Sequence, residues 1–171
     1  MSTTLTRPSV DQLRAWLAEV PDPEIPAVSV IDLGIVRDVR WSGDELVVAL
    51  TPTYSGCPAT SVIAFDVEAA LRARGIERVR IERRLSPPWT TDWITEEGRR
   101  KLEAYGIAPP AEQAADIPSP LDRLLRKPAT VACPRCGSTD TRRVSEFGST
   151  PCKAQYRCNG CLEPFDYFKC V

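Results

Sequence analysis

The C-terminal part of the chain contains two pairs of cysteines, each with the spacing C-x-x-C. Cys133 and Cys136 form the first pair, Cys158 and Cys161 form the second, and 21 residues separate the pairs. A two-residue gap lets both sulfurs of a pair contact one metal ion, and two such pairs make a four-cysteine zinc site. The residues between the pairs can form a hairpin. The pattern therefore predicts a zinc-ribbon-like β module.

This C-terminal module, residues 129–171, is too short to build an independent core without a metal or a disulfide. We therefore expect its four paired cysteines to hold a structural zinc, although a tetrahedral site of four sulfurs also accepts iron. Cys152 and Cys170 belong to neither pair. They could be extra ligands, pair with each other or be inert, and the sequence leaves these alternatives open.

The chain has no histidine. This absence excludes Ser-His-Asp and Cys-His catalysis, and it excludes the usual histidine-based catalytic zinc and non-haem iron sites. The sequence also contains no glycine-rich phosphate-binding loop. Composition therefore rules out several common classes of enzyme.

Hydropathy and charge limit the partners. No apolar run approaches the roughly 18 residues that a membrane helix needs, and the first residues lack the apolar segment of a secretory signal. We expect a cytoplasmic protein without a membrane partner. The formal net charge is −1, and the C-terminal module has few aromatic residues for base stacking, so nucleic acid is not an expected partner.

The N-terminal part of the chain predicts an α/β domain. A capped helix near Ser9 precedes a β-hairpin that ends at residues 46–50, a helix over 61–74 and a strand over 79–85. A strand–helix–strand crossover is right-handed and joins parallel strands. We therefore expect a small mixed sheet of three or four strands with packed helices, followed by the ribbon.

Proline content divides the chain into domains. Five prolines in residues 109–128 indicate a semi-rigid linker. The predicted domains are therefore residues 1–108, which hold the α/β part, and residues 129–171, which hold the four-cysteine ribbon.

One cysteine, Cys57, lies between a predicted strand and a predicted helix and is followed by Pro58. Proline favours the first position of a helix, so we expect Cys57 at or beside the N-cap. The positive end of the helix would favour a thiolate, which is nucleophilic and binds metals. The alternative is a small buried apolar residue.

Two carboxylates, Asp22 and Glu24, lie among three prolines that prevent regular structure. In an extended segment residues two apart point the same way, so the carboxylates would face one side. On spacing alone, the better interpretation is a solvated acidic turn.

Trp89 and Trp93 lie in an irregular, proline-containing segment. Tryptophan is enriched at binding hot spots, so the pair predicts a lid or a partner surface. Completion of a small core is an equally good interpretation.

Three stretches of the first domain resemble a known family. Residues 22–26 (Asp-Pro-Glu-Ile-Pro), 32–36 (Asp-Leu-Gly-Ile-Val) and 51–58 (Thr-Pro-Thr-Tyr-Ser-Gly-Cys-Pro) resemble the SufT-like iron–sulfur assembly domain. The resemblance implies that Cys57, Asp22 and Glu24 lie together and handle iron or an iron–sulfur cluster transiently.

Further stretches resemble accessory proteins of phenylacetate degradation, notably residues 89–93, 145–150 and 163–170. This resemblance implies a non-catalytic protein that assists iron or iron–sulfur centre assembly. Its partners would be the subunits or the reductase of a phenylacetyl-CoA ring-epoxidising oxygenase. Two alternatives remain: a scaffold subunit of the same complex, and a nucleic-acid-binding zinc-ribbon regulator.

Overall fold

The computed structural model describes residues 7–110 and 130–169. Cys170 and residues 111–128 of the predicted linker lie outside this range. In the described part, no helix is both long and apolar enough to cross a membrane.

The first domain forms a mixed three-stranded sheet. Strands β1 (Val36–Ser42) and β2 (Glu45–Leu50) make an antiparallel hairpin, and β3 (Val79–Arg83) pairs in parallel with β2. The crossover between β2 and β3 contains helix α2 (Thr60–Arg72). The predicted fold class, a small mixed sheet with packed helices followed by a ribbon, is confirmed.

Strand β2 is the central strand of this sheet, and it is buried on both faces. Leu46, Val48 and Leu50 belong to the main hydrophobic core. On the other face, Val47 is flanked in register by Arg40 and Arg80. The aliphatic stems of such arginines shield apolar surface while their charged groups remain in water. Salt bridges of Arg40 and Arg80 with Glu82 hold the two arginines across this face.

The first domain contains two further helices. Helix α1 (Val10–Leu17) begins after Ser9, whose hydroxyl accepts a hydrogen bond from the Gln12 amide at 3.2 Å. Helix α3 (Glu96–Tyr105) is capped in the same way by Thr95. It ends at Gly106, which has a φ of 93°, a left-handed conformation that favours glycine.

The ribbon forms a second sheet. Its strands are β4 (Ile107–Ala108), β5 (Thr141–Ser145), β6 (Lys153–Cys158) and β7 (Pro164–Phe168), in the spatial order β4-β7-β6-β5. Strand β4 follows helix α3 directly and pairs in parallel with β7. The last two residues of the predicted first domain are therefore part of the ribbon sheet.

Side chains also join the ribbon to the first domain. Phe168 and Cys152, both from the ribbon, lie in the same hydrophobic core as the residues of α2 and β2. The Phe168 ring packs against Trp89, with 5.9 Å between the ring centroids. This packing brings ribbon residues next to the loop that carries Cys57.

Candidate functional site

The four paired cysteines of the ribbon converge on one point. Their Sγ atoms all lie within 4.8 Å of one another. The Sγ atoms of Cys133 and Cys161 are 3.8 Å apart, and those of Cys136 and Cys158 are 3.6 Å apart. A tetrahedral zinc with Zn–S bonds of about 2.3 Å requires sulfurs about 3.8 Å apart. These residues therefore fit a metal held tetrahedrally by four sulfurs.

The two cysteines of the second pair, Cys158 and Cys161, have very different pKa values. The Cys161 amide donates to the Cys158 Sγ at 3.4 Å, and this hydrogen bond is the main cause that lowers the pKa of Cys158 to about 6. The Glu163 amide lowers the pKa of Cys161, but burial and the neighbouring thiols outweigh it and raise that pKa to about 12. A bound metal would release the remaining protons, because its ligands are thiolates.

A second group of chemically active side chains lines a cavity between the two domains. Cys57, Asp22 and Glu24 come from the first domain, and Cys152 comes from the ribbon. The cavity has a volume of about 10 Å³, close to the smallest that admits one water molecule. The rest of its wall is mainly apolar and includes Ile25, Leu33, Ile35, Ile63 and Phe168.

Asp22 forms a turn instead of lying in an extended segment. Its Oδ1 accepts hydrogen bonds from the amides of Glu24 and Ile25, both at 2.9 Å. The residue is only 6% exposed. Burial raises its pKa, against the lowering effect of these two amides and of Lys153. The predicted solvated turn is therefore wrong for Asp22: the turn exists, but its first carboxylate is buried.

Glu24 lies at the edge of the same cavity and is partly exposed. Burial raises its pKa, and the charge of Asp22 raises it further, whereas Lys153 lowers it. Glu24 keeps its carboxylate available, because the hydrogen bonds that form the turn use the oxygen of Asp22.

Cys57 does not lie at the helix N-cap. Helix α2 begins at Thr60 with Ala59 as its N-cap, so Cys57 precedes the cap by two residues. The Cys57 carbonyl accepts hydrogen bonds from the Thr60 amide at 3.3 Å and from the Thr60 hydroxyl at 2.8 Å. A turn at Pro58 and Ala59 separates the thiol from the helix end, and the side chain is 9% exposed.

Cys152 is 8% exposed and lies in the turn before β6. Burial raises its pKa, while the hydroxyl of Thr150, 3.0 Å from Sγ, lowers it. Glu24, which lines the same cavity, raises the pKa of Cys152 further.

Sequence reasoning missed Tyr54 at this site. Its hydroxyl is buried and has no hydrogen-bond partner among the described residues. Burial raises its pKa, and the neighbouring Cys57, Glu24 and Cys152 raise it further. The sequence contained one indication of this role: Tyr54 lies only three residues before Cys57, in the same loop.

Comparisons with known proteins agree with this two-part architecture. Residues 118–169 match the family model described as the PaaD zinc beta ribbon domain, and residues 10–82 match that of an iron–sulfur cluster assembly protein. The chain is 46% identical over 168 residues to a putative subunit of the 1,2-phenylacetyl-CoA epoxidase of Escherichia coli (strain K12), covering 98% of this chain and 97% of that protein. The chain belongs to the PaaD family.

Solved structures resemble the first domain. A domain of unknown function, DUF59, from Bacillus anthracis is 28% identical, covers 54% of this chain and 89% of its own, and has a TM-score of 0.50. A conserved hypothetical protein from Thermotoga maritima is 29% identical over 60% of this chain and 98% of its own, with a TM-score of 0.48. The first of these supports the α/β fold of this PaaD-family chain.

The two tryptophans have different environments. Trp89 is 4% exposed, and its Nε1 donates to the Leu33 carbonyl at 2.8 Å. The partner surface predicted for Trp89 is therefore wrong, because the side chain is enclosed between the two domains. Trp93 is partly buried and lies under Arg37, whose Cζ is 3.5 Å from the ring centroid. Its role as a partner surface remains a prediction.

Proposed function

We propose that this PaaD-family chain is a non-catalytic accessory protein that assists assembly of an iron or iron–sulfur centre in a phenylacetyl-CoA epoxidase. The near-full-length similarity to a protein named as a putative subunit of that enzyme supports the choice of partner. The match of residues 10–82 to an iron–sulfur cluster assembly protein supports the maturation role.

The cavity between the domains carries this proposal. It brings the thiol of Cys57 and the carboxylate of Glu24 to a nearly enclosed space, with Asp22 forming the turn beneath them. Thiolate and carboxylate are ligands that iron accepts. In the described part of the chain, the only group of three or more such ligand atoms within 4.8 Å is the ribbon cluster. The looser arrangement in the cavity suits brief binding and release of iron.

The ribbon has a different role in this proposal. We assign a structural zinc, or iron, to Cys133, Cys136, Cys158 and Cys161, because their sulfurs have the separations of a tetrahedral site. This metal would stabilise the strands that place β7 and the turn of Cys152 against the first domain. The ribbon metal would therefore stay in place while iron passes through the cavity.

Co-production with the epoxidase tests the proposal. The chain, as wild type or as Cys57→Ser, is produced together with the oxygenase subunits and the reductase, and iron is measured in each purified partner. We expect Cys57→Ser to keep its ribbon metal and to leave one of these partners with low iron and low activity. Ser55→Ala is the matched control, because Ser55 is an exposed residue of the same loop.

Separate analysis of the oxygenase and the reductase also identifies the recipient of the iron. Normal iron and normal activity in both partners with Cys57→Ser would contradict maturation. The scaffold interpretation would then replace it, because a scaffold needs the fold of this chain and not its free thiol.

A further inference from the structure

The ribbon cysteine Cys152 belongs to the cavity of the first domain and not to the ribbon metal cluster. The four ribbon sulfurs lie within 4.8 Å of one another without it. Cys152 lines the same cavity as Cys57 and Glu24 and is buried in the main core. We propose that Cys57, Cys152 and Glu24 together bind one ferrous ion, so that the site is complete only when the ribbon is docked.

The chemistry of the three side chains supports this ligand set. Two thiols and one carboxylate offer the mixture of sulfur and oxygen that ferrous iron accepts. The wall between them is mainly apolar, and the cavity has a volume of about 10 Å³, so it has room for one small ion. Tyr54 is held next to Cys57, whose amide donates to the Tyr54 carbonyl at 3.2 Å, and its buried hydroxyl has no hydrogen-bond partner in the described residues, so it could donate to a metal-bound thiolate.

Asp22 is a positioning residue in this arrangement. Its Oδ1 accepts hydrogen bonds from the amides of Glu24 and Ile25, and these bonds fix the turn that places Glu24 at the cavity. Asparagine keeps an oxygen at the same place. Asp22→Asn should therefore keep the turn, whereas Glu24→Gln removes a proposed ligand and should weaken cobalt binding more than Asp22→Asn does.

Lys153 offers a competing explanation for the acidic cavity. Its buried ammonium group lowers the pKa values of Asp22 and Glu24, so it could simply neutralise them. However, the Lys153 Nζ forms its ion pair with Asp166, 3.3 Å away. Neutralisation by lysine also gives no reason for two buried thiols from different domains to line the same cavity.

The inference rests on the proposed function, but it can be tested separately on the isolated full-length chain. The chain is first loaded anaerobically with one equivalent of zinc, which tetrahedral thiolate sites bind more tightly than cobalt. Cobalt(II) is then titrated as a spectroscopic substitute for iron. We expect a second bound ion with thiolate-to-cobalt charge-transfer absorption, and Cys152→Ser and Cys57→Ser should each weaken its binding by about tenfold or more.

The control variant is Ser149→Ala, which alters an exposed ribbon residue near Cys152 and should bind cobalt like the wild type. Zinc retention by each variant shows that the ribbon is intact. Wild-type cobalt affinity in Cys152→Ser together with loss in Cys57→Ser would overturn the inference and leave the proposed function standing. Absence of a second ion in the wild type would also overturn it.

A second measurement needs no variant. The zinc-loaded wild-type chain receives one equivalent of ferrous iron, and X-ray absorption at the iron edge counts the sulfur ligands. We expect two sulfurs with additional oxygen ligands. One sulfur would exclude one of the two thiols, and four would place the iron in the ribbon, so either count would contradict the inference.

Discussion

The two groups of cysteines in this chain differ in how they are assembled. The ribbon sulfurs come from two short C-x-x-C turns and lie within 4.8 Å of one another. The cavity brings together Asp22, Cys57 and Cys152, which are far apart in the sequence and lie in two domains. A site whose donors are already in place retains its metal, whereas a looser site between domains can release it. In the proposed function, retention and transfer of metal therefore belong to different cysteines.

Removal of one ribbon ligand should have the largest effect. Cys136→Ser should abolish the ribbon metal and unfold residues 130–169, because the binding energy of a structural zinc is folding energy of about 10 kcal/mol or more. Metal analysis and amide hydrogen exchange measure both consequences. Cys57→Ser is the matched control and should keep the metal and the protection. Protected ribbon amides in metal-free Cys136→Ser would contradict the structural role.

The contact between the domains should be the next most sensitive feature. Trp89→Ala removes the ring that packs on Phe168 and the hydrogen bond to the Leu33 carbonyl. We expect a loss of about 3–5 kcal/mol in the free energy of unfolding, as for other large-to-small changes in a core. The ribbon should keep its zinc, because its cysteines do not depend on Trp89, but the cavity should lose its affinity for cobalt.

Trp93→Ala provides the control for that experiment. Its ring is partly exposed and stacks with Arg37, so truncation should destabilise the protein less than Trp89→Ala. Denaturant unfolding followed by fluorescence and by zinc release gives the comparison. Equal losses for the two variants would show that Trp89 is no more important to the junction than Trp93.

The sequence predicted those features that depend on local patterns. Apolar periodicity predicted the hairpin and the crossover helix, and cysteine spacing predicted the ribbon cluster. Cys57 was predicted at or beside the N-cap but lies two residues before it, because Pro58 and Ala59 form a separate turn before the helix begins at Thr60. Proline after cysteine is equally compatible with both conformations.

The cavity could not be predicted because it depends on domain docking. Cys152 has no local pattern that directs it away from the ribbon metal, and its position follows from the pairing of β4 with β7 and from the burial of Phe168. The burial of Trp89 has the same cause. Long-range packing therefore decides which cysteines share a site, and short-range spacing does not reveal it.

The smallest expected effect concerns the buried carboxylate of Asp22, whose charge lowers the free energy of unfolding. Burial raises the pKa of Asp22 from its ordinary value of 3.8, so the folded protein holds this proton to a higher pH than the unfolded chain does. Between the two pKa values the folded state binds more protons, and stability therefore falls as the pH rises through that interval. Above the interval, the buried charge destabilises the fold by a constant amount.

Asp22→Asn should relieve this cost, because asparagine retains an oxygen for the amides of Glu24 and Ile25 but carries no charge. We expect the variant to be more stable than the wild type at pH 7.5, by about 1 kcal/mol, the usual size of single-residue effects. The advantage should shrink as the pH falls towards 3.8, where the wild-type carboxyl becomes protonated in both states. Urea unfolding at several pH values, with Glu24→Gln as the more exposed control, measures this difference. A variant that is less stable than the wild type at pH 7.5 would show that attraction to Lys153 outweighs burial, and the cavity would then be a stabilising ion-pair site.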